Sequence, residues 1–245
     1  MKILVCISKT PDTTTKIAFK DNNTKFVTDG VQFIINPMDE FALTRALELK
    51  EKLSGTVTII NVGLVDTEPI IRKAFAIGAD DGIRVDAEPT DSFFTATQIA
   101  HHAKEVGYDL ILLGRETIDF NGSQVGGMIA EILDLPFVAG CSRLDVEGEK
   151  LNMDREIEGG KETLTVKFPC IASCQEGIAE PRIPNMRGIM SARTKPLKVV
   201  PSAGNEMLTA VSVYEMPPAK GGCKYVDAQN AEELINLLHN EAKVI

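Results

Sequence analysis

Two polar segments of this sequence carry the residue types that handle a phosphate. One is the run Gly114-Arg115-Glu116-Thr117-Ile118-Asp119-Phe120-Asn121-Gly122-Ser123-Gln124-Val125-Gly126-Gly127. Small residues there let backbone N–H groups approach an anion closely. Asn121 and Ser123 add amide and hydroxyl donors, and a helix starting at Ser123 would turn its positive end onto the same spot. Gly126 and Gly127 fall inside that helix, where each costs about 1 kcal/mol relative to alanine. Their presence points to close packing against a ligand or a sheet. The other segment, Asn36-Pro37-Met38-Asp39, reads as a helix start: a capping residue, a proline at the first helical position and an acid three residues after the cap. Each segment also fits a plain structural duty, as a strand-to-helix turn and a helix cap. Together at one edge of a sheet they fit an anion site.

Other constellations are missing from the sequence. It contains neither G-x-G-x-x-G nor G-x-x-x-x-G-K-[ST], so neither glycine-rich phosphate motif is present. Of its three histidines, His101 and His102 are adjacent on a helical pattern and are expected in solvent, as is His239. There is no H-E-x-x-H and no G-x-S-x-G. Five scattered cysteines (Cys6, Cys141, Cys170, Cys174 and Cys223) read as reduced, mostly buried thiols. A nucleotide binder without acid–base or nucleophilic groups fits a carrier better than a hydrolase.

The elements that must position these segments alternate along the first half. Apolar runs at Lys2–Ile7, Thr56–Val62, Gly82–Val85 and Asp109–Leu113 read as strands. Between them lie helical patterns. The first opens at Asn36, carries Ala42, Ala46, Leu49 and Leu53 on one stripe and ends at Gly55; the others are Asp66–Ile77, Ser92–Val106 and Ser123–Leu133. Strand–helix alternation with continuously apolar strands predicts an α/β fold: a doubly wound, mostly parallel sheet with helices on both faces. Ligands of such sheets bind beyond the carboxyl ends of the strands, where the strand order switches. Both polar segments lie at strand exits.

After Pro136 the pattern changes. Ser142–Val146, Glu149–Ile157 and Glu162–Phe168 predict a small antiparallel extension, with Cys170–Cys174 returning to the main sheet. Residues 180–197 lack periodicity. They hold a basic island, Arg182, Arg187, Arg193, Lys195 and Lys198, interleaved with Ile183, Met186, Ile189 and Met190, a mixture that fits either a partner surface or a solvated connector. An extended arm from Val200 ends in an amphipathic helix from Asp227 with Ala231, Leu234, Leu238 and Ala242 on one stripe. That pairing fits contact with another subunit or packing on its own domain. The expected division is residues 1–199 as a nucleotide-binding domain, including the antiparallel insertion at about 140–175 and a partner loop at about 180–195, and residues 200–245 as the arm and helix. The net charge of −9 over 245 residues argues against nucleic acid and anionic membranes as partners. No run approaches the ~20 apolar residues of a membrane span, so a cytoplasmic protein without direct membrane insertion is expected.

Several runs resemble the electron transfer flavoprotein β subunit family. They are Ala179 to Arg193 (AEPRIPNMRGIMSAR), Asn36 to Glu40 (NPMDE), Ala76 to Asp80 (AIGAD), and Gly114 to Asp119 (GRETID) with Gln124-Val125-Gly126 after it. The resemblance extends in order from Lys2 to the C-terminal helix.

That resemblance implies a heterodimer with a larger α subunit carrying the redox FAD, and an AMP held in this chain at the sheet edge. It matches the nucleotide site to Cys6, Asn36, Pro37, Met38, Asp39, Val62, Asp119, Phe120, Asn121, Gly122, Ser123, Gln124, Val125, Gly126, Gly127, Met128, Ile129 and Ala130. It brings the shared flavin near the loop Thr10–Thr13, although many relatives carry an aromatic residue where this chain has Thr13. The docking loop for acyl-CoA dehydrogenases or other flavin dehydrogenases matches Ile183, Pro184, Met186, Arg187, Ile189 and Met190, with Met186 as the apolar anchor. Electrons would pass on to a quinone oxidoreductase, in a carrier rather than a classical enzyme. A bifurcating member of the family would instead hold a second FAD in place of AMP and oxidise NADH. Such members typically read Gly-Asp-Thr in the nucleotide loop, where this chain has Phe120-Asn121-Gly122-Ser123, a departure that leans toward AMP. A stand-alone adenine-nucleotide sensor is the reading from a different class.

Overall fold

In the computed structural model, which describes residues 1–204, 207–219 and 221–245, strand β1 (Lys2–Cys6) separates two hydrophobic layers. Along the chain follow β2 (Lys9–Pro11), β3 (Phe19–Lys20), β4 (Lys25–Phe26), β5 (Phe33–Ile35), α1 (Pro37–Leu53), β6 (Thr56–Val62), a 3-10 turn (Val65–Thr67), α2 (Glu68–Ile77), β7 (Asp81–Asp86), α3 (Ser92–Val106) and β8 (Leu110–Gly114). The second half holds α4 (Val125–Leu133), β9 (Phe137–Glu147), β10 (Lys150–Ile157), β11 (Gly160–Lys167), β12 (Cys170–Cys174), α5 (Met186–Ala192), β13 (Leu197–Pro201) and α6 (Ala231–Asn236), which runs on into a π-helical turn (Leu237–Ala242).

The two-residue period of a strand sorts β1 between the layers. Ile3 and Val5 pack with Ala42, Leu43, Ala46 and Leu47 of α1 and with Ile70, Ile71 and Phe75 of α2. Leu4 and Cys6 pack with Phe94 and Ile99 of α3 and Ile129 of α4. Helices therefore cover both faces of one nine-stranded sheet of order β11-β10-β9-β12-β8-β1-β6-β7-β13. Pairing is parallel from β9 through β12, β8, β1, β6 and β7 to β13, and antiparallel among β9, β10 and β11. This is the doubly wound α/β fold with an antiparallel extension. The strand order switches at β1: the chain runs outward to β6 and β7 on one side, then resumes at β8 on the other.

Several local expectations are corrected. Helix α4 starts at Val125 rather than Ser123, because Ser123 has a left-handed φ of 51° and cannot continue a right-handed helix. Residue Ser54, not Gly55, adopts the left-handed cap of α1; Gly55 is needed because a Cβ there would stand 2.6 Å from the Met1 carbonyl oxygen. His102 of α3 is buried, 7% exposed, with the Tyr108 ring beside it, and burial lowers its pKa; His101 is exposed, as expected. The segment before the arm is not formless. Leu197–Pro201 adds an edge strand parallel to β7, with Val200 opposite Val85. The C-terminal helix fully buries none of its residues; on its apolar stripe Leu234 is 47% exposed and Leu238 half-buried. No helix among the described residues is long and apolar enough to cross a membrane.

Candidate functional site

The carboxyl ends of β1, β6, β7 and β8 frame a cavity of about 460 Å³ beside the strand switch. That size is within the range of small-molecule sites. Its wall takes Cys6 to Lys9 from the exit of β1, Asn61 to Leu64 from β6 and Leu113 to Thr117 from β8. Helix α3 contributes Ser92, Thr95 and Ile99 from its first two turns, and the turn before it Glu88 to Asp91.

Of the residues matched to a nucleotide site, Cys6, Asp39, Val62, Asp119, Phe120, Gly122, Ser123, Gln124, Val125 and Gly126 line this cavity. Asn36, Pro37, Met38, Asn121, Gly127, Met128, Ile129 and Ala130 do not. Ile129 and Ala130 belong to the layer under α3, and so support the helix instead. Asn36 occupies the N-cap position of α1 but makes no side-chain cap bond. Fully buried, it reaches across to the loop after β8, where its Nδ2 donates to the Glu116 carbonyl at 2.9 Å and its Oδ1 accepts from Ile118 N at 3.2 Å. Asp39 likewise forms no capping box. Its two carboxyl oxygens accept from Ser8 N at 2.7 Å and Gly114 N at 2.8 Å, stapling the ends of the two strands that flank the switch. Burial pushes its pKa up to about 7, against the opposing pull of those two N–H groups.

Gly114 is what permits the staple. A Cβ there would meet Asp39 Oδ1 and come within 2.6 Å of Met38 Cβ, so β8 could not lie against the start of α1. On the far side, the loop turns through left-handed residues at Asn121 (φ 50°) and Ser123 (φ 51°), followed by Gln124 at φ −101°, ψ −35°. A switch of backbone handedness over consecutive residues makes successive N–H groups converge into an anion-accepting concavity. Gln124 makes no cap bond, so the first N–H groups of α4 face the cavity edge without a side-chain partner. Ser123 Oγ donates to Glu116 Oε2 at 2.9 Å, and Arg115 pairs with the same carboxylate at 2.6 Å. The Arg115 bond first, then that of Ser123, holds the Glu116 pKa below its usual range. The cradle thus offers backbone donors and a helix dipole, with the acidic side chain nearest it already paired.

The two glycines in α4 have different reasons. A Cβ on Gly126 would stand 2.9 Å from the Phe137 ring and 3.3 Å from Leu113, whereas one on Gly127 meets nothing closer than 3.7 Å. Gly126→Ala is expected to destabilise by about 1–3 kcal/mol through overpacking. Gly127→Ala is expected to be neutral or to stabilise by up to about 1 kcal/mol through helix propensity. Urea unfolding of both variants checks this; shifts of the same sign would refute it.

Sequence reasoning missed Ser8, Lys9, Asn61, Gly63, Asp66, Thr67 and the turn Glu88–Ser92. Asn61 stands at the end of β6 and the others follow parallel strands, so the rule that ligands lie at carboxyl ends names all of them once the sheet is known. Thr209, Ala210 and Val211 of the arm also line the cavity. Nothing local in the sequence signals that.

The loop Thr10–Thr13 crosses β2, which pairs with β5. Thr10 is fully buried, Thr13 is exposed, and Asp12 accepts from Thr14 N at 2.9 Å. The apolar docking candidates stand at the other end of α2. Ile183 is 93% exposed and Met186 74%, with Ile189, Met190 and Arg187 also exposed and Pro184 half-buried. Two cations of the basic island are already engaged by the chain's own groups. Arg182 makes a bidentate pair with Glu51 at 2.6 and 2.9 Å, and Lys195 Nζ donates to the Phe75 and Ala79 carbonyls at the carboxyl end of α2.

A family profile described as electron transfer flavoprotein domain matches residues 23–204. The chain is 34% identical over 260 residues to the electron transfer flavoprotein subunit beta of Bacillus subtilis (strain 168), covering all of both chains. It is 36% identical over 249 residues to the protein of the same name from Syntrophomonas wolfei, covering all of this chain and 98% of the relative. To the human protein of that name it is 33% identical over 255 residues, covering all of this chain and 99% of the relative.

Proposed function

The chain belongs to the electron transfer flavoprotein β-subunit family, and from that premise we propose that it holds an adenylate in the cavity at the strand switch while a larger α subunit supplies the FAD that carries electrons. The single observation that carries the adenylate is the cradle at Asn121–Val125: left-handed turns and an uncapped helix start facing a cavity of about 460 Å³. The residues there fit the group. Backbone N–H groups from Ser123 to Gly126 would take the phosphate. The apolar Val62, Ile99 and Leu113 would bracket the base, and Asp39 would keep β1 and β8 together beneath it.

A complete flavin dinucleotide is far larger than a cavity of about 460 Å³ would enclose. AMP is therefore the reading favoured over a second FAD. Flavin, once bound in the heterodimer, supplies the redox chemistry. This chain's part is to hold the nucleotide, to present the Thr10–Thr13 loop and to bring in redox partners. Extraction of nucleotides from the purified heterodimer tests it: one FAD and one AMP support the carrier. Two FAD would overturn it in favour of bifurcation, and a colourless homodimer in favour of a sensor.

The exposed Ile183–Met190 surface is proposed to receive flavin dehydrogenases, acyl-CoA dehydrogenases among them; a quinone oxidoreductase would take the electrons onward. A flexible thioether suits entry into an apolar pocket. Met186→Ala is expected to weaken reduction by the dehydrogenase by about tenfold, since an apolar anchor is worth about 1–2 kcal/mol, with flavin and AMP content unchanged. Unaltered transfer kinetics would rule out Met186 as the anchor.

A further inference from the structure

We propose that residues 207–214 of the C-terminal arm form a latch that closes the nucleotide cavity, with Asp91 as its catch. This rests on the adenylate reading and adds to it a wall that the strand ends do not provide. Thr209, Ala210 and Val211 line the cavity although they lie far along the chain from every other lining residue. What holds them there is one carboxylate. Asp91 Oδ1 accepts from Phe94 N at 2.6 Å and so caps α3, while Oδ2 accepts from Leu208 N at 2.7 Å, Thr209 N at 2.8 Å and Thr209 Oγ1 at 3.5 Å. Three N–H donors on one side chain favour its ionised form, and its pKa is held below the carboxylate range, by Phe94 N first and Thr209 N next.

Two further tethers define the length of the latch. At its root Gln98, 2% exposed, accepts from Ala203 N at 2.8 Å and donates to the Gly204 carbonyl at 2.7 Å. At its far end Tyr214 N donates to the Asn23 carbonyl at 2.7 Å, and the Tyr214 ring stacks on Phe19 with centroids 4.7 Å apart and planes 8° apart. Among the described residues, the arm between Thr209 and Tyr214 makes no other hydrogen bond to the body, and Val211 and Val213 are half exposed. A segment pinned at both ends and free between them can swing once either pin is drawn, whereas a segment packed along its length cannot. A ligand under it would leave only when the arm lifts, so the arm sets the release rate rather than the chemistry of contact.

Asp91→Asn separates the catch from the cap, because asparagine caps helices as well as aspartate does but turns an N–H₂ toward Leu208 N and Thr209 N. Tyr214→Ala removes the ring stack of the other pin and leaves only its backbone bond to the Asn23 carbonyl, without touching α3 or the cavity. The full-length chain is loaded with labelled adenosine monophosphate and chased with unlabelled nucleotide, and in parallel the arm is probed by limited proteolysis. Release is expected to accelerate about tenfold in Asp91→Asn and about threefold in Tyr214→Ala, since lost closing contacts appear mainly in the off-rate. Arm cleavage should accelerate in both. Unchanged release with a freely cut arm would overturn the closing role, and wild-type cleavage rates in Asp91→Asn would overturn Asp91 as the catch. If the wild-type chain takes up no adenosine monophosphate, the adenylate reading falls and the closing role with it, while the protease still decides the two tethers.

Discussion

Asp39→Ala is expected to lower unfolding stability by about 3–5 kcal/mol at pH 6, because two buried N–H groups would lose their acceptor at about 1–3 kcal/mol each. Those donors belong to Ser8 and Gly114, at the ends of β1 and β8, so the loss falls on the floor of the cavity and nucleotide content should drop with it. The pH dependence carries a sign of its own. The folded protein keeps the Asp39 proton up to about pH 7, whereas the unfolded chain releases it near pH 3.9. Between those values the native state binds more protons than the unfolded state, so this group makes the protein less stable as pH rises, and the slope ends above about pH 7. The gap between wild type and Asp39→Ala should therefore narrow from pH 5 to pH 8. Denaturant titrations at several pH values check both parts. A gap that widens with pH would show that the two N–H bonds outweigh burial and keep the carboxylate ionised.

On the proposed docking role of the Ile183–Met190 surface, Gly188→Ala should weaken that docking more than any single side-chain loss there, through the backbone alone. Helix α5 stands on α2, and a Cβ at position 188 would collide with the Ala76 carbonyl oxygen and lie 3.3 Å from its carbon. Backbone atoms cannot step aside as a side-chain tip can, so α5 must lift. The bonds that seat it, Arg72 Nη1 to the Ala192 carbonyl at 3.0 Å and to the Lys195 carbonyl at 2.9 Å, would stretch with it. Overpacking of this kind costs about 1–3 kcal/mol, and displacing the whole apolar display should exceed the loss from Met186→Ala. Electron transfer from the dehydrogenase is expected to fall by more than tenfold, about 1.4 kcal/mol or more, with AMP and FAD still bound. Stopped-flow reduction by the partner, read beside nucleotide content, decides it. Loss of nucleotide would mean the two ends of α2 are not independent, and full transfer rates would mean that α5 is not the docking element.

Local pattern in the sequence determined the principal strands and helices of the main sheet and its antiparallel extension, though not the short strands β2–β5 or helix α5, because apolar periodicity reports the face a segment buries whatever lies opposite. Thr56–Val62, Pro37–Leu53 and the antiparallel run after Pro136 were legible in this way, and the loop singled out after β8 lines the cavity. The tertiary structure alone decided what pairs with what. Asn36 and Asp39 read as a helix cap, yet both side chains bind backbone some 75 to 82 residues distant. His102 looked solvent-bound because the neighbour that covers it is not on its own helix. Leu197–Pro201 became a strand only because β7 offered an open edge. Thr209–Val211 entered the cavity wall because Asp91 caught the arm. A hydrogen bond between distant residues leaves no period in the chain, so only the folded arrangement can show it.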